Sequence, residues 1–209
     1  MTTPAYEIAY FPLRGRAEPI RLLLALAGQP FVDRRVAGPD WASLKPESPL
    51  GQMPILFETQ DGRTRQIPQS AAILRHLARR HGLYGSTEAE ALACDVLAET
   101  CLDLRSALSP LQFGATAKDP ELKARFGTET LPVHLGRLGR LLANGPGSGF
   151  FVGVAPTWAD LVAFDSLEAV ITLFPDGLAG QPELAAFVER LRALPALQPY
   201  LAERGTMGR

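Results

Sequence analysis

Hydrophobic and polar positions change period several times in the first eighty residues. The stretch Tyr6-Glu7-Ile8-Ala9-Tyr10 alternates and, with Phe11, predicts a strand. From Arg16 to Ala27 the apolar residues recur at helical spacing, and Gly28 supplies a C-terminal stop. Phe31 to Val36 predicts a second strand. Residues 39–49 are irregular, with one helical turn around Trp41 to Leu44. Residues 54–58 and 63–67 flank Asp61-Gly62, a strong hairpin signal. Gln69 to His81 is helical, with Ala72, Ile73, Leu77 and Ala78 on one side and Arg75, Arg79 and Arg80 on the other.

The crossover from first strand to second predicts a parallel pair, and the hairpin adds an antiparallel one. After Gly82-Leu83-Tyr84-Gly85 the pattern becomes helical throughout, with segments at about 87–115, 119–143, 157–173, 181–193 and 196–204. Pro and Gly clusters such as residues 144–149 separate them. Two domains follow: a small α/β unit over residues 1–81, a linker at 82–86, and an all-α unit over 87–209. Thr157 with Asp160 three residues on has the form of a capping box, Asp standing in for the usual Glu or Gln.

Composition narrows the function classes. The 209 residues are 46% hydrophobic and 21% charged, which is ample for a packed core. A formal net charge of −1 gives no reason to expect a nucleic-acid or membrane-surface partner. No apolar run approaches the ~18 residues of a membrane span, and no basic region followed by an apolar stretch opens the chain. A reducing cytoplasm is therefore the expected location. Cys94 and Cys101 are seven apart on a predicted helix, too far for a disulfide with each other, and are expected to be buried free thiols. His76, His81 and His134 lack metal-ligand spacing, so no metal is expected.

Candidate chemistry gathers where the first strand meets the first helix. Tyr10 closes the strand, and Arg14, Gly15 and Arg16 follow within six residues. Further on, Met53-Pro54 precedes a strand, Ser70 opens a helix, and Trp41 and Lys45 are four apart. Taken singly, each has an ordinary explanation: a packed tyrosine, a trans proline opening a strand, a helix cap and two surface side chains. Tyr6, on the same strand face as Tyr10 but deeper, is expected to pack.

Their order is specific. Residues 10–16 (YFPLRGR), 51–54 (GQMP) and 69–77 (QSAAILRHL), with Asp103-Leu104-Arg105 and residues 157–161 (TWADL), resemble the cytosolic glutathione S-transferases. The likeness spans essentially the whole chain and is nearest the tyrosine-type members, the pi class first and sigma next. It implies an α/β thioredoxin-like domain that binds glutathione, followed by an all-α helical domain that builds the electrophile pocket.

The resemblance also implies roles. Tyr10 matches the catalytic tyrosine, and Arg16 the arginine beside the bound peptide. Trp41 and Lys45 match residues that hold the glycine carboxylate. Gln52 and the Met53 backbone receive the cysteinyl part, with Pro54 cis, and Gln69 and Ser70 hold the γ-glutamyl end. Asp103 matches an acidic residue that reaches the glutathione of a partner in a homodimer. Phe11, Leu13, Leu108, Phe113 and Met207 are the expected apolar pocket. Leu50 replaces an aromatic residue that plugs into the partner in pi-like members, and Phe113 stands where a tyrosine is frequent.

The chemistry stands on its own terms. A thiol of pKa ~8.5 is only a few per cent thiolate near neutrality, yet the thiolate is the nucleophile. One hydrogen bond to a charged group contributes about 1.5–3 kcal/mol, equivalent to roughly one to two pKa units. A phenol O–H aimed at sulfur would thus make much of a bound thiol reactive toward a hydrophobic electrophile. The expected activity is conjugation of glutathione as co-substrate, with no cofactor. A specialised isomerase or peroxidase using the same thiolate, or a non-catalytic binding relative, remain alternatives. A thiol-disulfide oxidoreductase would need a cysteine where this chain has Tyr10-Phe11-Pro12.

Overall fold

The computed structural model describes residues 3–113 and 115–204. Four strands, β1 (Ala5–Tyr10), β2 (Phe31–Arg35), β3 (Ile55–Gln60) and β4 (Arg63–Pro68), form one mixed sheet in the order β2-β1-β3-β4. β1 pairs parallel with β2, Tyr6 opposite Phe31, through a crossover containing helix α1 (Glu18–Leu26). It pairs antiparallel with β3, Ile8 opposite Leu56, and β3 turns into β4 at Asp61-Gly62. The central strands carry the fully buried Ile8, Ala9, Ile55 and Leu56. β4 lies at the edge with Arg63, Thr64, Arg65 and Gln66 exposed, which keeps that edge from pairing further. Helix α2 (Gly38–Leu44) follows β2, and α3 (Ser70–Arg80) buries Ile73, Leu74, Leu77 and Ala78. The expected mixed sheet and hairpin are both present.

The described residues of the helical unit contain α4 (Glu88–Gln112), α5 (Pro120–Arg125), α6 (Leu131–Ala143), α7 (Trp158–Leu173) and α8 (Pro182–Arg192). α7 is buried at every position from Trp158 to Val170, the signature of a helix surrounded on all sides. It starts at a complete capping box. Thr157 Oγ1 accepts from the Asp160 N–H at 3.4 Å, and the Asp160 carboxylate accepts from the Thr157 N–H at 2.8 Å. The same buried carboxylate also accepts from the Thr157 O–H at 2.6 Å and from the Phe151 N–H at 2.9 Å, and so ties the preceding loop to the helix start.

One expectation changes. The single helix read over 119–143 is interrupted by a wide turn at Phe126–Thr130, after which Pro132 lies in the first turn of α6. Proline has no N–H for the carbonyl four residues back, so a continuous ladder cannot pass it. Within this wider turn Phe126 stacks on Phe174 at 5.8 Å. The chain forms two compact units. One compact unit runs to Leu83 and takes in the segment from Leu194, and the other is Tyr84–Ala193. Helix α9 (Gln198–Arg204) falls within the first of these units. Its attachment combines a contact of the Tyr200 ring with Phe31 at 6.4 Å and polar bonds from Tyr200 and Arg204 to Glu18, and a hydrophobic pattern does not register the polar part.

Cys94 and Cys101 are buried and unbridged, and burial pushes the Cys94 thiol up to about 11. Tyr6 is buried with its Oη 3.0 Å from His81 Nε2, a packing role as expected.

Asp160→Ala should destabilise the protein by about 3 kcal/mol, because it strands two buried backbone N–H groups, against ~1 kcal/mol for Thr157→Ala. Urea unfolding of the two variants checks that ranking. A second expectation concerns pH. Burial holds the His81 imidazole below its ordinary value, and Arg80 and His76 repel its cation further. As pH falls the unfolded chain binds the proton first, so stability present above about pH 6.5 is lost toward pH 5. His81→Gln should flatten the fall in Tm between about pH 7 and 5, measured by calorimetry. A slope equal to that of wild type would assign the loss to another group.

Candidate active site

Tyr10 ends β1 at the carboxyl edge of the sheet, where ligands of open α/β sheets bind. Its ring is buried, and the chain then turns through residues 11–17 into α1. Gly15 sits in that turn at φ +47°, and a Cβ there would lie 2.6 Å from Tyr10 Oη and 2.6 Å from Leu13 Cδ1. Both the backbone angle and the space therefore require glycine. The turn brings the Arg16 N–H to Tyr10 Oη at 3.2 Å. The phenol oxygen accepts this bond, which leaves its one O–H to donate elsewhere. Accepting an amide hydrogen also polarises the phenol into a better donor.

An aromatic row continues from Tyr10. Phe11 meets it edge-on at 5.5 Å, and Trp41 of α2 meets Phe11 edge-on at 6.2 Å. Trp41 and Met53 pack against a small core of Ala9, Val36, Leu44 and Ile55. Phe11 stays partly exposed, and Leu13 is half-buried. Lys45 follows directly after α2, and its stem runs over Gly51: a Cβ on Gly51 would be 3.7 Å from Lys45 Cε. Gly51, at φ +62°, leads to exposed Gln52, and the Met53–Pro54 peptide just before β3 is cis.

Gln52 and Gln69 come together, Gln69 Nε2 donating to Gln52 Oε1 at 3.5 Å. Gln69 holds φ +69°, a region that non-glycine residues rarely adopt and that costs of order 1–3 kcal/mol. It precedes Ser70, the first residue of α3, and no side chain caps that helix start. The first-turn N–H groups of an eleven-residue helix are thus available to an anion.

The remaining expected residues lie elsewhere. Asp103 is exposed on α4, Leu108 is buried on the same helix, and Phe113 is exposed just after it, all in the second unit. Met207 lies outside the described residues. Leu50 is exposed beside Gly51. Among the described residues no group of three or more His, Cys, Asp or Glu could hold a metal ion.

Glu18 and Arg21 were not legible as part of this region, although both are fully buried beside it. The available signal was a Glu-x-x-Arg pair within a helix that is otherwise apolar nearly all round, where charges must find partners inside. Gly15 was legible only as a turn residue.

The arrangement could take a small extended ligand with a carboxylate at the α3 end and a hydrogen-bond acceptor near Tyr10. The comparisons point the same way. Residues 6–79 match the family described as Glutathione S-transferase, N-terminal domain, and residues 102–204 match Glutathione S-transferase, C-terminal domain. Glutathione S-transferase 1 of Ascaris suum is 38% identical over 206 residues, covering 96% of this chain and 97% of its own length. A pi-class glutathione S-transferase structure from Onchocerca volvulus superposes with a TM-score of 0.86 at 35% identity, covering 95% of this chain and 93% of its own. A sigma-class structure from Fasciola hepatica reaches 0.90 at 30% identity, covering 98% of both chains. With both family patterns in order and full-length identity at this level, the chain belongs to the glutathione S-transferases and is a glutathione transferase with a thioredoxin-like first domain.

Proposed function

We propose that Tyr10 is the catalytic residue of this transferase and that it acts by donating its O–H to the glutathione sulfur. The observation that carries this reading is the Arg16 N–H on Tyr10 Oη, which commits the oxygen as acceptor and leaves the hydrogen for the ligand. The thiol loses its proton to solvent, and the thiolate held by Tyr10 attacks an electrophilic carbon. A C–S bond forms, and either a leaving group departs with its electron pair or the addition product takes up a proton.

Glutathione would lie along the edge just described. Its γ-glutamyl carboxylate fits the start of α3, with Ser70 and Gln69. Its cysteinyl backbone would pair with Met53, ahead of Pro54, and with Gln52. The glycine carboxylate would meet Lys45 and Trp41, while Arg16 adds favourable field for an anion. Phe11 and Leu13, apolar and incompletely buried beside Tyr10, would offer a wall to a hydrophobic electrophile.

A homodimer is part of the proposal. Leu92 and Val96 are exposed, four apart on α4, and so share one face of that helix, and Leu50 is a further exposed apolar side chain. Asp103, exposed on the same helix, would reach the partner's glutathione. A cytoplasmic location fits the buried unbridged thiols, and no described helix is long and apolar enough to cross a membrane.

Tyr10→Phe should raise the apparent pKa of bound glutathione by roughly one to two units and lower turnover of a chloronitroaromatic near neutrality about ten- to a hundredfold. Ultraviolet thiolate absorbance against pH and initial rates measure both. A wild-type titration and rate in that variant would overturn the role of Tyr10. Leu92→Glu should sediment as a monomer where the wild type sediments as a dimer, and a wild type that is monomeric removes the dimer.

A further inference from the structure

The turn that presents the Arg16 N–H to Tyr10 is held from behind by a buried chain of charges. Arg21, fully buried on α1, has Cζ 6.0 Å from the centre of the Tyr10 ring. Its Nη1 donates to the carbonyls of Arg14 at 3.1 Å and Leu13 at 3.4 Å, and its Nε donates to Asp33 at 2.9 Å. Arg35 donates to the same Leu13 carbonyl at 3.0 Å and pairs with the same Asp33. Residues 13 and 14 immediately precede Gly15, so these bonds set where the turn stands.

Arg21 is itself fixed by Glu18, also fully buried, at 3.3 Å. Glu18 has further partners that come from the far end of the chain. Tyr200 Oη donates to its Oε2 at 2.8 Å and Arg204 Nη1 to its Oε1 at 2.9 Å, both from α9 and both nearly fully buried. Burial pushes the Tyr200 hydroxyl well up, and the neighbouring Glu18 carboxylate pushes it in the same direction, so it stays a donor. The Tyr200 ring also meets Phe31 at 6.4 Å, so α9 has an apolar anchor besides these bonds, and buried ion pairs are a poor way to gain stability. What they do supply is direction: each bond fixes one atom against another.

We propose that α9 belongs to the apparatus that positions Tyr10: Tyr200 and Arg204 orient Glu18, Glu18 orients Arg21, and Arg21 holds the Leu13 and Arg14 carbonyls so that the Arg16 N–H meets the phenol oxygen. Glu18, Arg21, Tyr200 and Arg204 are positioning residues, none of which needs to touch substrate. This rests on the reading of Tyr10 as the sulfur's donor. A structural brace alone would lower Tm and leave the chemistry of the bound thiol as it was. A positioning chain changes that chemistry and does so only through Tyr10.

The test is a double-mutant cycle on the full chain. Tyr200→Phe and Glu18→Gln are made alone and combined with Tyr10→Phe, with circular dichroism and Tm as folding controls. Tyr200→Phe should lower kcat about tenfold with little change in the KM for glutathione, and raise the apparent pKa of bound glutathione. Glu18→Gln, where it folds, should approach the loss of Tyr10→Phe. In the Tyr10→Phe background Tyr200→Phe should change kcat by less than about twofold. Equal losses with and without the Tyr10 hydroxyl, or a lowered Tm with wild-type kcat and thiol titration, would overturn the positioning chain. If Tyr10→Phe alone keeps the wild-type rate, it is the reading of Tyr10 that fails, a result distinct from either of these.

Discussion

The hydrogen bond from the Arg16 N–H to Tyr10 Oη is the contact around which the first unit is arranged. A tyrosine oxygen has one hydrogen to give, and which way it points depends on what already occupies its lone pairs. Here the backbone occupies one. That requires the chain to pass within reach of the ring, which Gly15 allows because any Cβ would collide with the phenol. It also requires the strand to stop at Tyr10 and α1 to begin a few residues later, so the parallel pairing of β1 with β2 is a precondition.

Much of this was legible in the sequence, for identifiable reasons. Period changes mark elements, so β1, α1, the hairpin around Asp61-Gly62 and the long helices of the second unit emerged with ends close to those observed. Thr157 and Asp160 were legible as a cap because the motif is local and its chemistry depends on spacing alone. Tyr10, Gln52, Gln69 and Ser70 were singled out by their order along the chain. Their approach to one edge is a property of the sheet, since β3 and β4 carry residues from the fifties and sixties back beside β1.

What was not legible has a common cause. Pro132 was visible, yet the wide turn at Phe126–Thr130 depends on how a helix accommodates a missing N–H. The docking of α9 depends on Glu18 and Tyr200, 182 residues apart, through a polar contact that no periodicity encodes. Hydrophobic patterns report which face is buried, but they say little about which buried charge meets which.

If Tyr10 is the sulfur's donor, as proposed, the type of group used there follows from range and direction. Arg16 carries a full charge but is exposed, and charges in water are screened over about 8 Å at physiological ionic strength. Its attraction would help any anion in the neighbourhood, the carboxylates of glutathione as well as the sulfur. An O–H from a buried ring acts within hydrogen-bond distance and discriminates sulfur from carboxylate by position. In the proposed role it would also stabilise the thiolate without pairing it so tightly that nucleophilicity is lost, as full neutralisation by an ammonium or guanidinium at contact would threaten. A directed neutral donor is useful only if its direction is fixed. That requirement makes sense of a glycine with no room for a methyl group and of charged side chains buried behind the turn.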